Sequence, residues 1–340
     1  MITIGTSGSG RLVGGVGVLG TGSCLPAHVV TNDEVGEPAG VTGDWVRAKT
    51  DIRTRRRAKP DEATSDLAVV AARAALADAG LGSADVSLLV LATSTPDSPQ
   101  PATAAVVADG LNLRPGTPAF DVNAVCSGFL FALVTAEGLL RGTGGAGHAL
   151  VIGADIYSRI LNPADRRTAV LFGDGAGAVV LGPVPAGRGL LAGRLAGFSA
   201  DRDLIEVPGG GSRFPASERT LADGLQYFTM NGRGVREFVT EQVPGALRDF
   251  LRAAELTVAD VDHFVPHQAN GRMLRELAAA TGLPWERTRT TYTDFGNTGS
   301  ASVPITLDHA ARSGLVAEGD AVLLAGFGGG MALGLGLLRW

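Results

Sequence analysis

Lysine is nearly missing from this chain: Lys49 and Lys59 are the only two, and arginine supplies the rest of its 29 basic residues. Against 34 acidic residues this leaves a net charge of -5, which excludes a general nucleic-acid binder, because no broad cationic surface exists to displace counterions from phosphates. The local run Arg53, Arg55, Arg56 and Arg57 reads as a solvated or anion-facing loop. Cysteine is scarce as well. Cys24 and Cys126 could form one bridge at most, and no Cys/His cluster has zinc spacing, so neither a disulfide scaffold nor a structural metal is expected. Long apolar runs are absent too: nothing approaches the roughly 18 uninterrupted residues of a membrane span. Residues 1–10 lack the charged and apolar regions of a signal peptide, which makes a cytoplasmic location the default. What the chain does have is 45% hydrophobic residues and a mean hydropathy of +0.20, ample for a sizeable core.

The order of elements alternates helix and strand. Thr64-Ser65-Asp66 opens a helix over 67–79 closed by Gly80; 86–93 is a buried strand, 102–111 a helix after Pro96, Pro99 and Pro101, and 149–154 another apolar strand. Phe172 to Leu181 carries glycines that imply close backbone approach before a strand. The second half repeats the first. Ala79, Leu81, Ala84, Asp85, Val86 and Val90 recur, evenly displaced, as Ala254, Leu256, Ala259, Asp260, Val261 and Val265. Each set joins the end of a helix to a buried strand, and both halves end in glycine-rich turns into apolar strands. A duplicated α/β unit explains this, with 1–11 a loose N-terminus, 12–186 one half and 187–340 the other.

Chemistry concentrates at Asp121-Val-Asn-Ala-Val-Cys126-Ser-Gly-Phe129, where an extended run stops at a cysteine and an apolar helix begins. A thiol in the first turn of a buried helix sits where free N–H groups and the helix dipole favour the thiolate; a free cysteine is equally a small buried hydrophobe. His267, in Phe264-Val-Pro-His-Gln-Ala-Asn270, follows a buried strand, so the repeat puts it at the strand-end rim where open α/β sheets bind ligands. His28 and His148 read as turn residues and His309 as helical. Phe295-Gly-Asn297-Thr-Gly-Ser-Ala-Ser302 is a polar loop ahead of a helix, either a capping loop or part of a site. Gly326-Phe-Gly-Gly-Gly330 is a tight turn or an oxyanion donor. Neither glycine cluster opens a helix in the dinucleotide manner, which excludes a Rossmann site.

Taken together, Asp121 to Phe129, Phe172-Gly-Asp-Gly-Ala-Gly-Ala178, Val265 to Asn270 and Gly296 to Ser302 resemble β-ketoacyl-acyl carrier protein synthase III, of the thiolase fold, from about residue 12 onward. The resemblance implies two pseudo-duplicated α/β halves in a layered α-β-α-β-α core, and a homodimer. It implies that Cys126 takes an acyl group from coenzyme A, with the backbone N–H groups of Cys126 and Gly329 as oxyanion hole. His267 and Asn297 would then stabilise the enolate formed when a malonyl thioester loses carbon dioxide. No permanently bound cofactor is implied. Trp45 and Arg166 match the pair that holds adenine, Asn270 the pantetheine channel, and Arg272 the tunnel mouth that meets phosphopantetheine or an acyl carrier protein.

Three departures bear on the substrate. Lys49-Thr-Asp51 stands where the family has Arg-Thr-Gly, a point charge in place of a fork plus an added carboxylate. Arg236-Glu237 replaces an aromatic and a basic residue; Arg236 either binds a carboxylate or points to solvent. The helix after His267 carries Arg272 and Arg275 but then Glu276 and alanines, a thin basic face for an acidic carrier protein. Gln100 stands near where a residue from the partner subunit closes the acyl pocket. Decarboxylative condensation, priming a fatty acid or polyketide pathway, is the leading reading. The alternative is acyl transfer from Cys126 to a hydroxyl or amine, against which Asn297 weighs.

Overall fold

Val86 to Ala92 reads Val-Ser-Leu-Leu-Val-Leu-Ala, and a strand so uniformly apolar must be covered on both faces. In the computed structural model, which describes residues 2–4 and 14–340, it is. Leu88, Val90 and Ala92 enter one core while Leu89 and Leu91 enter another. The strand lies within a five-stranded sheet of spatial order Gly15–Cys24, Gly175–Val184, His148–Asp155, Val86–Ala92, Ala119–Val122, whose last three strands run parallel. A second sheet has the order Ile2–Ile4, Gly189–Gly197, Ala332–Arg339, Ala321–Gly328, His263–Pro266. A parallel bridge from Phe264 to Thr288 extends its far edge as Ala119–Val122 extends the first. The equivalent strands therefore follow one another identically in both sheets, and the duplication is visible in topology as well as in sequence.

Five layers result. The helices Thr64–Asp78 and Thr103–Gly110 cover the outer face of the first sheet, and Gly232–Ala253 with Gly271–Thr281 the outer face of the second. Between the sheets lie Gly128–Gly142 and Ser302–Arg312. Phe129, Leu130 and Leu133 from one, with Val303 and Leu307 from the other, pack against strands of both sheets. Val125–Gly142 is long and apolar enough to cross a membrane, yet it is this central core helix. It approaches the second sheet closely because Gly334 carries no side chain: a Cβ there would meet Leu130 Cβ at 2.5 Å.

Several sequence expectations need correction. The arginine run is no loop: Thr54–Arg57 is a strand paired with His28–Thr31, and Arg55 is fully buried. Its guanidinium donates to Asn32 Oδ1 (2.9 Å) and the Val170 carbonyl (2.8 Å), which tie the strand to the Phe172 segment. His28 and His148 begin strands and do not sit in turns. Trp45 lies on a short helix, Gly43–Thr50, capped by Thr42. Of residues 1–11, Ile2–Ile4 pairs antiparallel with Gly193–Leu195, and the others lie outside the described residues.

Candidate active site

The Ala119–Val122 strand ends one short loop before Cys126, and the chain turns there through Val125 at φ 48. A β-branched residue in the left-handed region is strained by about 1–3 kcal/mol, held in place by the packing around it. The turn presents Cys126 at the head of Gly128–Gly142. Gly328 makes the close fit possible, since a Cβ on it would meet Cys126 Cβ at 2.6 Å. Gly329, the next residue, packs on Val125 and Ile205.

Cys126, His267 and Asn297 are brought together from three separate segments. All three are buried, at 5%, 2% and 5% exposure, and all line one cavity of about 380 Å³ with Phe327 and Gly328. His267 extends the His263–Pro266 strand by donating its N–H to the Ala325 carbonyl (2.7 Å). Asn297 is fixed across the two halves. Its N–H donates to the Leu171 carbonyl and its carbonyl accepts from Gly173 N–H, each at 2.9 Å. Gly173 must be glycine here, because a Cβ would stand 2.3 Å from the Phe295 carbonyl oxygen. The Phe172-Gly-Asp-Gly motif thus serves to seat Asn297, and wholly buried Asp174 anchors it by accepting from Ser158 and Ala58 N–H.

The hydrogen bonds decide which atoms remain for chemistry. Asn297 Oδ1 accepts from Gly299 N–H (2.9 Å), so its amide nitrogen is left for the cavity. His267 Nδ1 contacts Ser302 Oγ at 2.7 Å, leaving Nε2. Ser302 Oγ accepts the Gln268 N–H at 3.4 Å and carries a proton of its own, so with the serine as donor to Nδ1 the ring proton sits on Nε2, the tautomer that the chemistry below requires. Burial pushes His267 down to about 3, against the opposing pull of the Gly299 carbonyl, and the ring is neutral. The Gln268 side chain, by contrast, supports the backbone. Both ends of its amide bond main-chain groups, including Thr291 N–H at 2.8 Å, and hold the loop that leads to Asn297.

The thiolate expected at the helix start is not favoured. Burial first, then the charge of Asp155, pushes the Cys126 thiol up to about 12. Desolvation outweighs the dipole at so buried a position, and Cys126 rests as a thiol.

From the buried end the cavity runs out past Met230 and Asn270 to the exposed Lys49, Arg236 and Arg272. There it meets a surface groove of about 690 Å³, lined by Trp45, Arg166, Arg167 and Arg233, with Lys49, Met230 and Asn270 shared by both. Arg166 lies over the Trp45 ring, its Cζ 5.9 Å from the centroid. Asn270 caps the Gly271–Thr281 helix through Met273 N–H (3.0 Å) while lining the passage. Arg236 is not free for a substrate carboxylate: it forms a two-point pair with Glu276, both contacts at 2.8 Å. Arg275 leans away from the mouth onto Trp285, 4.4 Å from its centroid, and toward Asp51. Gln100 is exposed and lines neither cavity. Sequence reading passed over Ser302 as a positioning group, although it closed a motif already singled out, and over Phe172, Asp155 and Tyr157 around the thiol.

Comparison with known proteins agrees along nearly the whole chain. A family model described as 3-oxoacyl-[acyl-carrier-protein (ACP)] synthase III matches residues 120–196, and one for the C terminal part of the same synthase matches residues 251–340. Acetoacetyl CoA synthase NphT7 of Streptomyces sp. (strain CL190) is 55% identical over 325 residues, covering 95% of this chain and 98% of its own. A β-ketoacyl-[acyl-carrier-protein] synthase III of Streptomyces coelicolor is 46% identical, covering 94% of this chain and 96% of its own. The crystal structure of the 3-oxoacyl-(acyl carrier protein) synthase III of Pseudomonas aeruginosa PAO1 matches with a TM-score of 0.87 and 38% identity, over 96% of this chain and 98% of that one. With its five-layered duplicated fold and near full-length identity to these synthases, the chain belongs to the 3-oxoacyl-acyl carrier protein synthase III family of acyltransferases.

Proposed function

We propose that Cys126 is acylated from an acyl-coenzyme A and that the acyl-enzyme condenses with a malonyl thioester, releasing carbon dioxide and a 3-oxoacyl thioester. The observation that carries this reading is the meeting of Cys126, His267 and Asn297 in one buried cavity that opens into a cationic, tryptophan-lined groove. In the first half-reaction the sulfur attacks the thioester carbonyl, and the N–H groups of Cys126 and Gly329 receive the oxyanion. In the second, loss of carbon dioxide puts negative charge on the malonyl thioester oxygen. His267 Nε2–H and the Asn297 amide donate to that oxygen, and donors fixed in advance are each worth about 10²–10³ in rate. The carbanion then displaces Cys126 from the acyl group.

The extender in this reading is malonyl-coenzyme A. The groove offers Trp45 and Arg166 to an adenine and Lys49 to phosphates, Arg167 being paired with Asp165. Of the cations at the mouth, Arg236 is engaged by Glu276 and Arg233 by Glu237, which leaves Lys49 and Arg272 as a thin face for an acidic carrier protein. The relative named as an acetoacetyl CoA synthase supports acetyl as the acyl group. Acyl transfer to a hydroxyl or amine loses the support of Arg236. A cytoplasmic homodimer in which Gln100 closes the partner subunit's pocket, and a boundary between duplicated halves near residue 187, accompany the reading.

The test supplies acetyl-coenzyme A with either malonyl-coenzyme A or malonyl-acyl carrier protein and follows carbon dioxide and product mass. Acetoacetyl-coenzyme A formed faster from malonyl-coenzyme A supports the proposal. Preference for the carrier protein refutes the extender assignment, and an acetyl adduct on Cys126 that survives both extenders refutes condensation.

A further inference from the structure

Among the described residues, the cavity that holds Cys126 is lined by the cations Lys49, Arg236 and Arg272 and by a single carboxylate, Glu276. No step of the condensation uses that carboxylate. Glu276 stands on the Gly271–Thr281 helix one turn beyond Arg272, on the same face. It holds Arg236 of the neighbouring Gly232–Ala253 helix in a two-point pair, both contacts at 2.8 Å. The hydrogen bonds from Arg236, then the charges of Arg236 and Arg272, keep its carboxyl below the ordinary value, so it is ionised at neutral pH. A pair with both members in reach of solvent adds little to stability. What it changes is the charge that an arriving partner meets.

A coenzyme A thioester and a carrier-protein thioester send the same uncharged pantetheine arm through this mouth, and they differ in what stays outside. Coenzyme A lays its nucleotide in the groove of Trp45 and Arg166, whose lining does not include Glu276. A carrier protein sets an acidic surface down on the rim itself, where Glu276 meets it and Arg236 is already held. We propose that Glu276 is a specificity-determining residue that disfavours an acidic carrier protein at the mouth and leaves coenzyme A thioesters indifferent to it. The carboxylate acts in two ways: it occupies the Arg236 guanidinium, and it sets a like charge beside Arg272, the cation on which an acidic partner would rest. Like charge facing like charge selects against a partner even where the pair itself contributes little to folding. The inference deepens the malonyl-coenzyme A reading above and rests on it.

The full chain, supplied with acetyl-coenzyme A, is given malonyl-coenzyme A and a malonyl-loaded bacterial acyl carrier protein together. The two acetoacetyl thioesters are counted by mass, so the ratio of the two kcat/KM values is read directly. Glu276→Gln, which keeps the shape and drops the charge, should raise the ratio of carrier-protein to coenzyme A product about tenfold, and Glu276→Lys should raise it further. The gain should shrink in high salt. Glu276→Asp keeps the charge on a shorter arm and should leave the ratio near that of wild type, whereas Arg236→Gln uncovers the carboxylate and should lower it. A ratio that stays at the wild-type value in both Glu276→Gln and Glu276→Lys overturns the inference alone. So does a ratio that rises as much in Glu276→Asp as in Glu276→Gln, since the geometry of the pair and not its charge would then be at work. A wild type that prefers the carrier protein overturns the malonyl-coenzyme A reading and the inference with it.

Discussion

Ser302 Oγ and His267 Nδ1 stand 2.7 Å apart in a fully buried contact. If the serine is the donor in this contact, it holds the ring in the tautomer that donates from Nε2, the one the proposed condensation needs. Ser302→Ala removes the constraint without touching a substrate. Condensation should fall about tenfold, the cost of roughly one hydrogen bond, while acetylation of Cys126 continues; equal losses in both half-reactions would show that the serine merely supports the fold.

Acid should act on His267 through stability. Its folded value of about 3 lies below the ordinary 6.5, so the unfolded chain binds a proton that the folded chain refuses. The contribution is fully present above pH 6.5 and is lost as pH falls toward 3. Buried Asp155 and Asp174, raised by desolvation, act in the opposite sense over the carboxylate range. The comparison is therefore between wild type and His267→Gln: urea denaturation at several pH values should show the variant declining less between about pH 6.5 and 5, above the ordinary carboxylate range. Parallel curves would mean that the ring takes up its proton while folded.

Cys126 supplies the converse case. Raised to about 12, it rests as a thiol at neutral pH. Alkylation of the free enzyme by iodoacetamide, located by mass, should climb about tenfold per pH unit, as thiolate fraction does below its pKa, without levelling near pH 9. A plateau at neutral pH would restore the helix-activated thiolate.

Asp51 occupies φ 61 at the end of the Gly43–Thr50 helix, a left-handed position that suits glycine. The backbone costs about 1–2 kcal/mol for a residue with a Cβ, and the 3.4 Å contact to half-exposed Arg275 returns less than about 1. Asp51→Gly should therefore stabilise the protein slightly, and more in high salt, where the ion pair is already screened. Destabilisation at both salt concentrations would mean that the pair outweighs the strain.

The features legible in the sequence were those with a period or a fixed chemistry. Uniform apolar strands such as Val86–Ala92 announce burial on both faces, and the recurrence of Ala79 to Val90 as Ala254 to Val265 announces the duplicated topology. Cys126, His267 and Asn297 were found by motif and do meet in one cavity. What escaped depends on contacts between distant segments. Arg55 looks like surface charge until Asn32 and the Val170 carbonyl are seen to take its protons. The thiol's environment could not be read from its place on a helix, because its burial comes from segments such as Phe327–Gly328 and the raising charge from Asp155, each far away in the chain. Arg236 looked available, and only the neighbouring helix shows that Glu276 already holds it.

Trp45 and Arg166 offer the last test, at the far end of the channel. The guanidinium carbon is 5.9 Å from the ring centroid, close enough for a direct cation–π contact. An adenine between them needs about 3.5 Å on each face, so Arg166 must retreat by about 1 Å when coenzyme A binds and give up its contact with Trp45 for one with the base. Either Trp45→Ala or Arg166→Ala should raise the KM for acetyl-coenzyme A by about tenfold, as the loss of one desolvated cation–π or stacking contact of about 1–2 kcal/mol implies. The double variant should cost less than the sum, since each residue holds the same ring. Acetylation by an N-acetylcysteamine thioester, which carries the reacting group without the nucleotide, should not distinguish the variants from wild type. If the short thioester is affected as strongly as acetyl-coenzyme A, Trp45 and Arg166 shape the channel itself, and the adenine site lies elsewhere in the groove.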